Sequence, residues 1–155
     1  VEAALRSYQA LYQPDEQRDR IDAMRSIALE AMELFAPFRP YLSGSVLKGT
    51  AGRFADIDLQ IFPESTKEVE LFLLNHGIEY KAENQRHYCG DEPRDVSVLR
   101  FEWDETPIAL AIYAARDERS HLKTSASGRP IERAGIAAVR ALVSAENAAA
   151  NTTKP

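Results

Sequence analysis

Residues 56–62 read Asp-Ile-Asp-Leu-Gln-Ile-Phe, an alternation that puts Ile57, Leu59 and Ile61 on one side of an extended chain and Asp56, Asp58 and Gln60 on the other. A strand with this period-two pattern buries one face in a core and leaves the other polar. The flanking chain must then supply neighbouring strands and an apolar cover. In residues 14–36 the apolar side chains Ile21, Met24, Ala28, Met32 and Phe35 recur at threes and fours, which predicts a long amphipathic helix. A shorter helix carrying Leu5, Tyr8 and Leu11 is expected before it. Pro37 and Pro40 end the long helix, since each lacks an N–H and restricts its predecessor, and Tyr41-Leu42-Ser43 follows as a short strand.

Beyond the alternating strand, Ser65 lies three residues before Glu68, a capping-box pattern that opens a helix to about residue 75, with Gly77 as its stop. Strands are expected near 78–81, 86–89, 96–103 and 108–113, the last two joined as a hairpin through Asp104-Glu105-Thr106-Pro107. Gly128-Arg129-Pro130 predicts the start of a last helix, with Pro130 in its first turn, and residues 147–155 read as a frayed tail. At 155 residues and 45% hydrophobic composition the chain suits one domain, over residues 1–146. The expected fold class is α/β (α+β), a small mixed β-sheet flanked by helices.

Nineteen Lys and Arg against 24 Asp and Glu give a net charge of −5, which argues against a long RNA or DNA partner held by phosphate neutralisation. No apolar run approaches the roughly 18 residues of a membrane span, and the first ten residues, VEAALRSYQA, lack the basic and apolar regions of a signal peptide. Cys89 is the single cysteine, so an internal disulfide is excluded and a reducing cytoplasm is the expected location.

Two carboxylates two residues apart on a strand share a face, with attachment points roughly 6–7 Å apart. That separation suits hard cations bridging substrate phosphates, because Mg²⁺ takes oxygen ligands and commonly one or two carboxylates plus phosphate. Twelve residues before Asp56 stands Gly44, followed by Ser45. The glycine permits close backbone approach, and Ser45 with the helix start after it offers donors to phosphate oxygens. Gly44, Ser45, Lys48, Gly49, Asp56 and Asp58 together resemble the signature of the nucleotidyltransferase superfamily, the polymerase beta-like group, in the spacing of its small bacterial members. The resemblance implies the nucleotidyltransferase fold. It implies transfer of a nucleoside monophosphate from a nucleoside triphosphate, ATP by default, to an acceptor hydroxyl with release of pyrophosphate. It further implies a two-metal Mg²⁺ site on Asp56 and Asp58, triphosphate binding by Gly44, Ser45 and Lys48, and a small-molecule or protein acceptor; relatives with larger acceptors add a domain or a partner subunit.

The family's third carboxylate lies on a later strand. The matching segment, Pro107-Ile108-Ala109-Leu110-Ala111, has Ala109 at that place. If the hairpin turns on Glu105 and Thr106, Glu102 faces Ala109 and is expected to complete the catalytic and metal set from the neighbouring strand. The alternative is a catalytically impaired nucleotide-binding or partner-binding module of the same fold. His76, His87 and His121 show no zinc spacing and are read as surface residues. The loop from His121 to Arg129, with Lys123, Thr124, Ser125 and Ser127, is a connector or an anion site ahead of the last helix. Cys89 is expected to be a packed or half-exposed thiol, and Phe101 and Trp103 are assigned to the core face.

Overall fold

The computed structural model describes residues 14–124 and 127–153; the expected helix bearing Leu5, Tyr8 and Leu11 lies outside them. Helix α1 runs Pro14–Leu34. Its inward stripe of Ile21, Met24, Ala28, Met32 and, just beyond the helix, Phe35 is buried, as the periodicity requires. Burial of a side chain such as Phe35 contributes about 1.5–3 kcal/mol, and its ring meets Phe72 and Phe101 at centroid distances of 5.4 and 6.0 Å. A 3₁₀ turn, Ala36–Phe38, follows, then strand β1, Tyr41–Ser43, and the single-turn helix α2, Gly44–Lys48. Strand β2 is Ile57–Ile61 and helix α3 is Thr66–Asn75. Ser65 stands at the N-cap of α3, but its side chain makes no capping hydrogen bond. Gly77, at φ +66°, terminates the helix with Ile78 N–H donating to Leu73 O at 2.9 Å.

Strands β3, Lys81–Cys89, and β4, Glu92–Trp103, are longer than the sequence pattern indicated, and β5 is Thr106–Ile112. The expected strand at residues 78–81 therefore reduces to Lys81 at the start of β3. A second 3₁₀ turn, Ala115–Asp117, leads to β6, Leu122–Lys123, then β7, Arg133–Gly135, and helix α4, Ile136–Thr153. Pro130 does not start the last helix: residues 133–135 pair with β1 instead, Leu42 opposite Ala134. Helix α4 continues past Glu146 to Thr153, through most of the segment read as a tail.

Among the described residues seven strands form one mixed sheet in the order β6-β3-β4-β5-β2-β1-β7. Only β2 and β5 are parallel, with Asp58 beside Ala109; the other pairs are antiparallel. The face bearing Leu42, Ile57, Leu59, Leu99, Ile108 and Leu110 is packed with residues of α1, α3 and α4 into the main core. On the opposite face a smaller cluster gathers Phe62, Val96, Val98, Ala109, Tyr113 and Leu122. The segment between β6 and β7 crosses this second face, held by Ile131 N–H donating to Leu122 O at 2.7 Å. One sheet face is thus closed by helices, and the other forms the floor of a cleft.

Candidate functional site

A cleft of about 520 Å³ opens on the second face, lined among others by Ser43, Gly44, Lys48, Asp58, Gln60 and Arg100. Its volume lies within the range of small-ligand sites, about 300–1,000 Å³. Asp58 and Gly44 meet at one end. Ser43 and Asp58 are paired across β1 and β2, and the chain then turns at Gly44, φ +74°, into α2. A Cβ on Gly44 would lie 2.2 Å from Asp58 Oδ2, so glycine is required both by its backbone angle and by the carboxylate packed against it. Helix α2 is held from behind. Arg25 of α1 donates to Val46 O at 3.0 Å and to Leu47 O at 2.9 Å, satisfying carbonyls that a five-residue helix leaves without intrahelical partners. Gly49, at φ +81°, closes it by donating N–H to Ser45 O. Lys48 lines the cleft, whereas Ser45 does not; Ser43 stands there instead.

Asp56 lies just before β2, and its Oδ2 accepts from Arg100 Nη1 at 2.8 Å. Burial and, secondarily, the negative charge of Asp56 push the Asp58 carboxyl up to about 6, against a smaller lowering by Arg100. Asp56, Asp58 and Arg100 therefore act on one another, as groups on one face must.

The hairpin differs from the sequence expectation. Its turn falls on Asp104 and Glu105, at φ +53° and +62°, and pairs Trp103 with Thr106, Glu102 with Pro107, and Arg100 with Ala109. Both central residues in the left-handed region make a type I′ turn, whose twist matches the flanking strands. Glu102 is accordingly not opposite Ala109. It is an exposed residue two positions nearer the turn, and the assignment of Glu102 as a carboxylate facing Ala109 is corrected. The row across the sheet reads Ser43, Asp58, Ala109, Arg100, Lys81. Where a third acid was expected the floor has a small residue and, one strand further, a guanidinium.

Two carboxylates on one face suit a single Mg²⁺ completed by phosphate oxygens. A second ion needs a further ligand, and among the described residues no three His, Cys, Asp or Glu side chains are grouped to hold a metal. A divalent ion 4 Å from a guanidinium would moreover be repelled by roughly 8 kcal/mol at an effective dielectric constant of 20, before the carboxylates' attraction is counted.

Arg100 also ends a chain of polar contacts along the floor. Its Nε donates to Glu83 Oε1 at 2.8 Å, which also accepts from Gln85 Nε2 at 3.1 Å. Gln85 Oε1 is then left to accept from His87 Nε2 at 2.9 Å, and His87 Nδ1 accepts from Tyr113 Oη–H at 2.6 Å. His87 is neutral in this network: burial lowers its pKa, and burial raises that of Tyr113. The hydrogen bond to Arg100 holds the Glu83 carboxyl below its ordinary value. His87 is buried, contrary to the surface reading, while His76 and His121 are exposed. Gln60, only 2% exposed, also lines the cleft, and its Oε1 has no hydrogen-bond partner.

Thr124 and Arg129 reach the cleft rim, but the backbone there leads into β7 and not into a helix start, so of the two readings of this loop the pre-helical anion site is not formed. Ser125 lies outside the described residues. Cys89 is buried, and burial, with Asp117 nearby, raises its thiol to about 11, which marks it as packed rather than nucleophilic. Phe101 is buried and Trp103 packs against the main core, as assigned.

Arg100, Gln60, Gln85 and the His87–Tyr113 pair are cleft residues that sequence reading missed, with Glu83 outside the lining as the partner of Arg100. The signal available for Arg100 was its position in the alternation Val96, Val98, Arg100, which puts it on the face opposite Leu99 and Phe101.

The class defined by this fold and site is a mixed α/β domain whose open sheet face carries a polar cleft with Asp58 packed on a glycine turn; Asp56 does not line that cleft and reaches it only through its ion pair with Arg100. No protein-family model, curated protein or solved structure matches the chain. Among the described residues no helix is long and apolar enough to cross a membrane.

Proposed function

We propose that the protein binds a nucleoside triphosphate, ATP by default, in this cleft and transfers its nucleoside monophosphate to the hydroxyl of a small-molecule or protein acceptor. The observation that carries the reading is the junction of Gly44 with Asp58, where the carboxylate packs so closely on the glycine turn that a Cβ there would lie 2.2 Å from Oδ2, in a cleft that Lys48 and Arg100 also line. A partly buried carboxylate with cationic side chains lining the same cleft suits a phosphate and its cation together. The acceptor hydroxyl gives its proton to solvent as its oxygen forms a bond to the α-phosphorus, the bond from that phosphorus to the bridging oxygen breaks, and pyrophosphate departs with the electron pair. Asp56 and Asp58 would hold Mg²⁺, which when bound neutralises phosphate charge and lowers the pKa of the attacking hydroxyl. Lys48 and Arg100 face the same space with positive charge, and positioned charge of this kind is the main protein contribution to phosphoryl chemistry.

One observation favours the second reading, a nucleotide-binding module without turnover: Ala109 occupies the register position between Asp58 and Arg100. The two are separated by measuring pyrophosphate release from ATP across a panel of hydroxyl-bearing small molecules and peptides, alongside binding of a nonhydrolysable ATP analogue. Release that falls at least a hundredfold in Asp58→Asn, a typical scale for loss of a positioned carboxylate, supports the enzyme. Analogue binding that requires Asp58, with no release for any acceptor, supports the module. Binding and release both indifferent to Asp58 would overturn both.

A further inference from the structure

We propose that Arg100 takes the place of a second divalent ion, so that this cleft holds a triphosphate with one ion and one fixed guanidinium. The proposal rests on the triphosphate reading above and deepens it.

Three observations place Arg100 in that role. It lies in the same row as Asp58, separated from it only by Ala109, whose methyl leaves the space between them open. Its Nη1 pairs with Asp56 Oδ2 at 2.8 Å, which puts the guanidinium charge beside the two acids. Its Nε is fixed by Glu83 at 2.8 Å, itself tied to Gln85, so the guanidinium plane is oriented from the sheet side. A guanidinium has five N–H donors in a rigid fork and binds phosphate bidentately, which a point charge on lysine cannot reproduce. Arg100 can thus neutralise Asp56 in the free protein and turn donors to phosphate oxygens when nucleotide enters. No proton, electron or bond is exchanged in this step; it is an exchange of ion-pair partners.

The fixed charge makes part of the phosphate affinity independent of any metal. The experiment is calorimetric titration of tripolyphosphate without divalent cations into the native chain, Arg100→Lys and Arg100→Ala, followed by counting Mn²⁺ bound per protein, by electron paramagnetic resonance, with a nonhydrolysable ATP analogue present. The native chain should bind tripolyphosphate without metal, Arg100→Lys several-fold more weakly and Arg100→Ala at least tenfold more weakly, and the native complex should hold one Mn²⁺. In the double variant Arg100→Ala/Ala109→Asp, the count should rise to two. Native binding that requires metal, equal metal-free affinity in Arg100→Ala, or two Mn²⁺ in the native complex would overturn the proposal while leaving the triphosphate reading intact. Failure of the native chain to bind the ATP analogue even with Mn²⁺ would remove both. Folding of each variant is checked by circular dichroism, and the native ion count decides the matter even if the double variant does not fold.

Discussion

Asp58 shows how a single residue can be costly to the fold and central to the cleft. Its carboxyl is pushed up to about 6 by burial and by Asp56, above the ordinary unfolded value near 3.9. The folded state therefore holds its proton more tightly than the unfolded chain, so stability falls as pH rises from about 4 to 6, and the penalty is fully present above that. Asp58→Asn should raise unfolding free energy at pH 7.5 by about 1–2 kcal/mol, discounted from the roughly 3 that two pH units represent because the site is partly open to solvent. At pH 4 the gain should vanish; urea melts at both values check it. Gly44→Ala should act in the opposite direction, losing roughly 1–3 kcal/mol from its φ of +74° alone and more from the contact with Asp58. The same melts measure it.

At the scale of elements, the hairpin between β4 and β5 decides what the cleft contains. The two registers considered differ by two residues, and such a shift keeps every side chain on its face. Hydrophobic pattern could therefore not distinguish them; the turn did, by taking Asp104 and Glu105 into positive φ. Glutamate is a poor residue there. Glu105→Gly should stabilise the protein by about 0.5–1 kcal/mol, the usual gain where glycine suits a left-handed position, readable as a higher urea midpoint with unchanged slope. Other elements were legible for plain reasons. Helix α1 carries an unbroken 3.6-residue stripe, and β2 an unbroken alternation. β7 was not, because Arg133-Ala134-Gly135 has no strand pattern and pairs only because β1 lies exposed beside it. Asp58 and Gly44 could be read as neighbours from local spacing, whereas Arg100 reaches Asp56 across 44 positions of sequence and is fixed only by strand order.

For the whole molecule, the arrangement separates stability from chemistry. The helices cover one sheet face and bury the apolar stripe, leaving the other face to carry charge. Arg25 links the two functions: its pair with Glu146 joins α1 to α4, while its bonds to Val46 O and Leu47 O fix the glycine turn of the cleft. Arg25→Ala should cost roughly 3–5 kcal/mol, because a largely buried carboxylate and two carbonyls lose their partner together. For a chain of this size that is a fall of about 6–20 °C in Tm, measured by calorimetry.

The central claim is that Asp58, packed on the glycine turn, together with Asp56 holds the cation of a bound triphosphate. Isothermal titration of a nonhydrolysable ATP analogue with Mg²⁺, into the native chain and into Asp56→Asn/Asp58→Asn, tests it most directly. Neutral amides coordinate Mg²⁺ poorly, so the account predicts Mg²⁺-dependent binding by the native chain that weakens at least tenfold in the double variant. Undiminished Mg²⁺-dependent affinity in that variant, or no binding by the native chain, would contradict it.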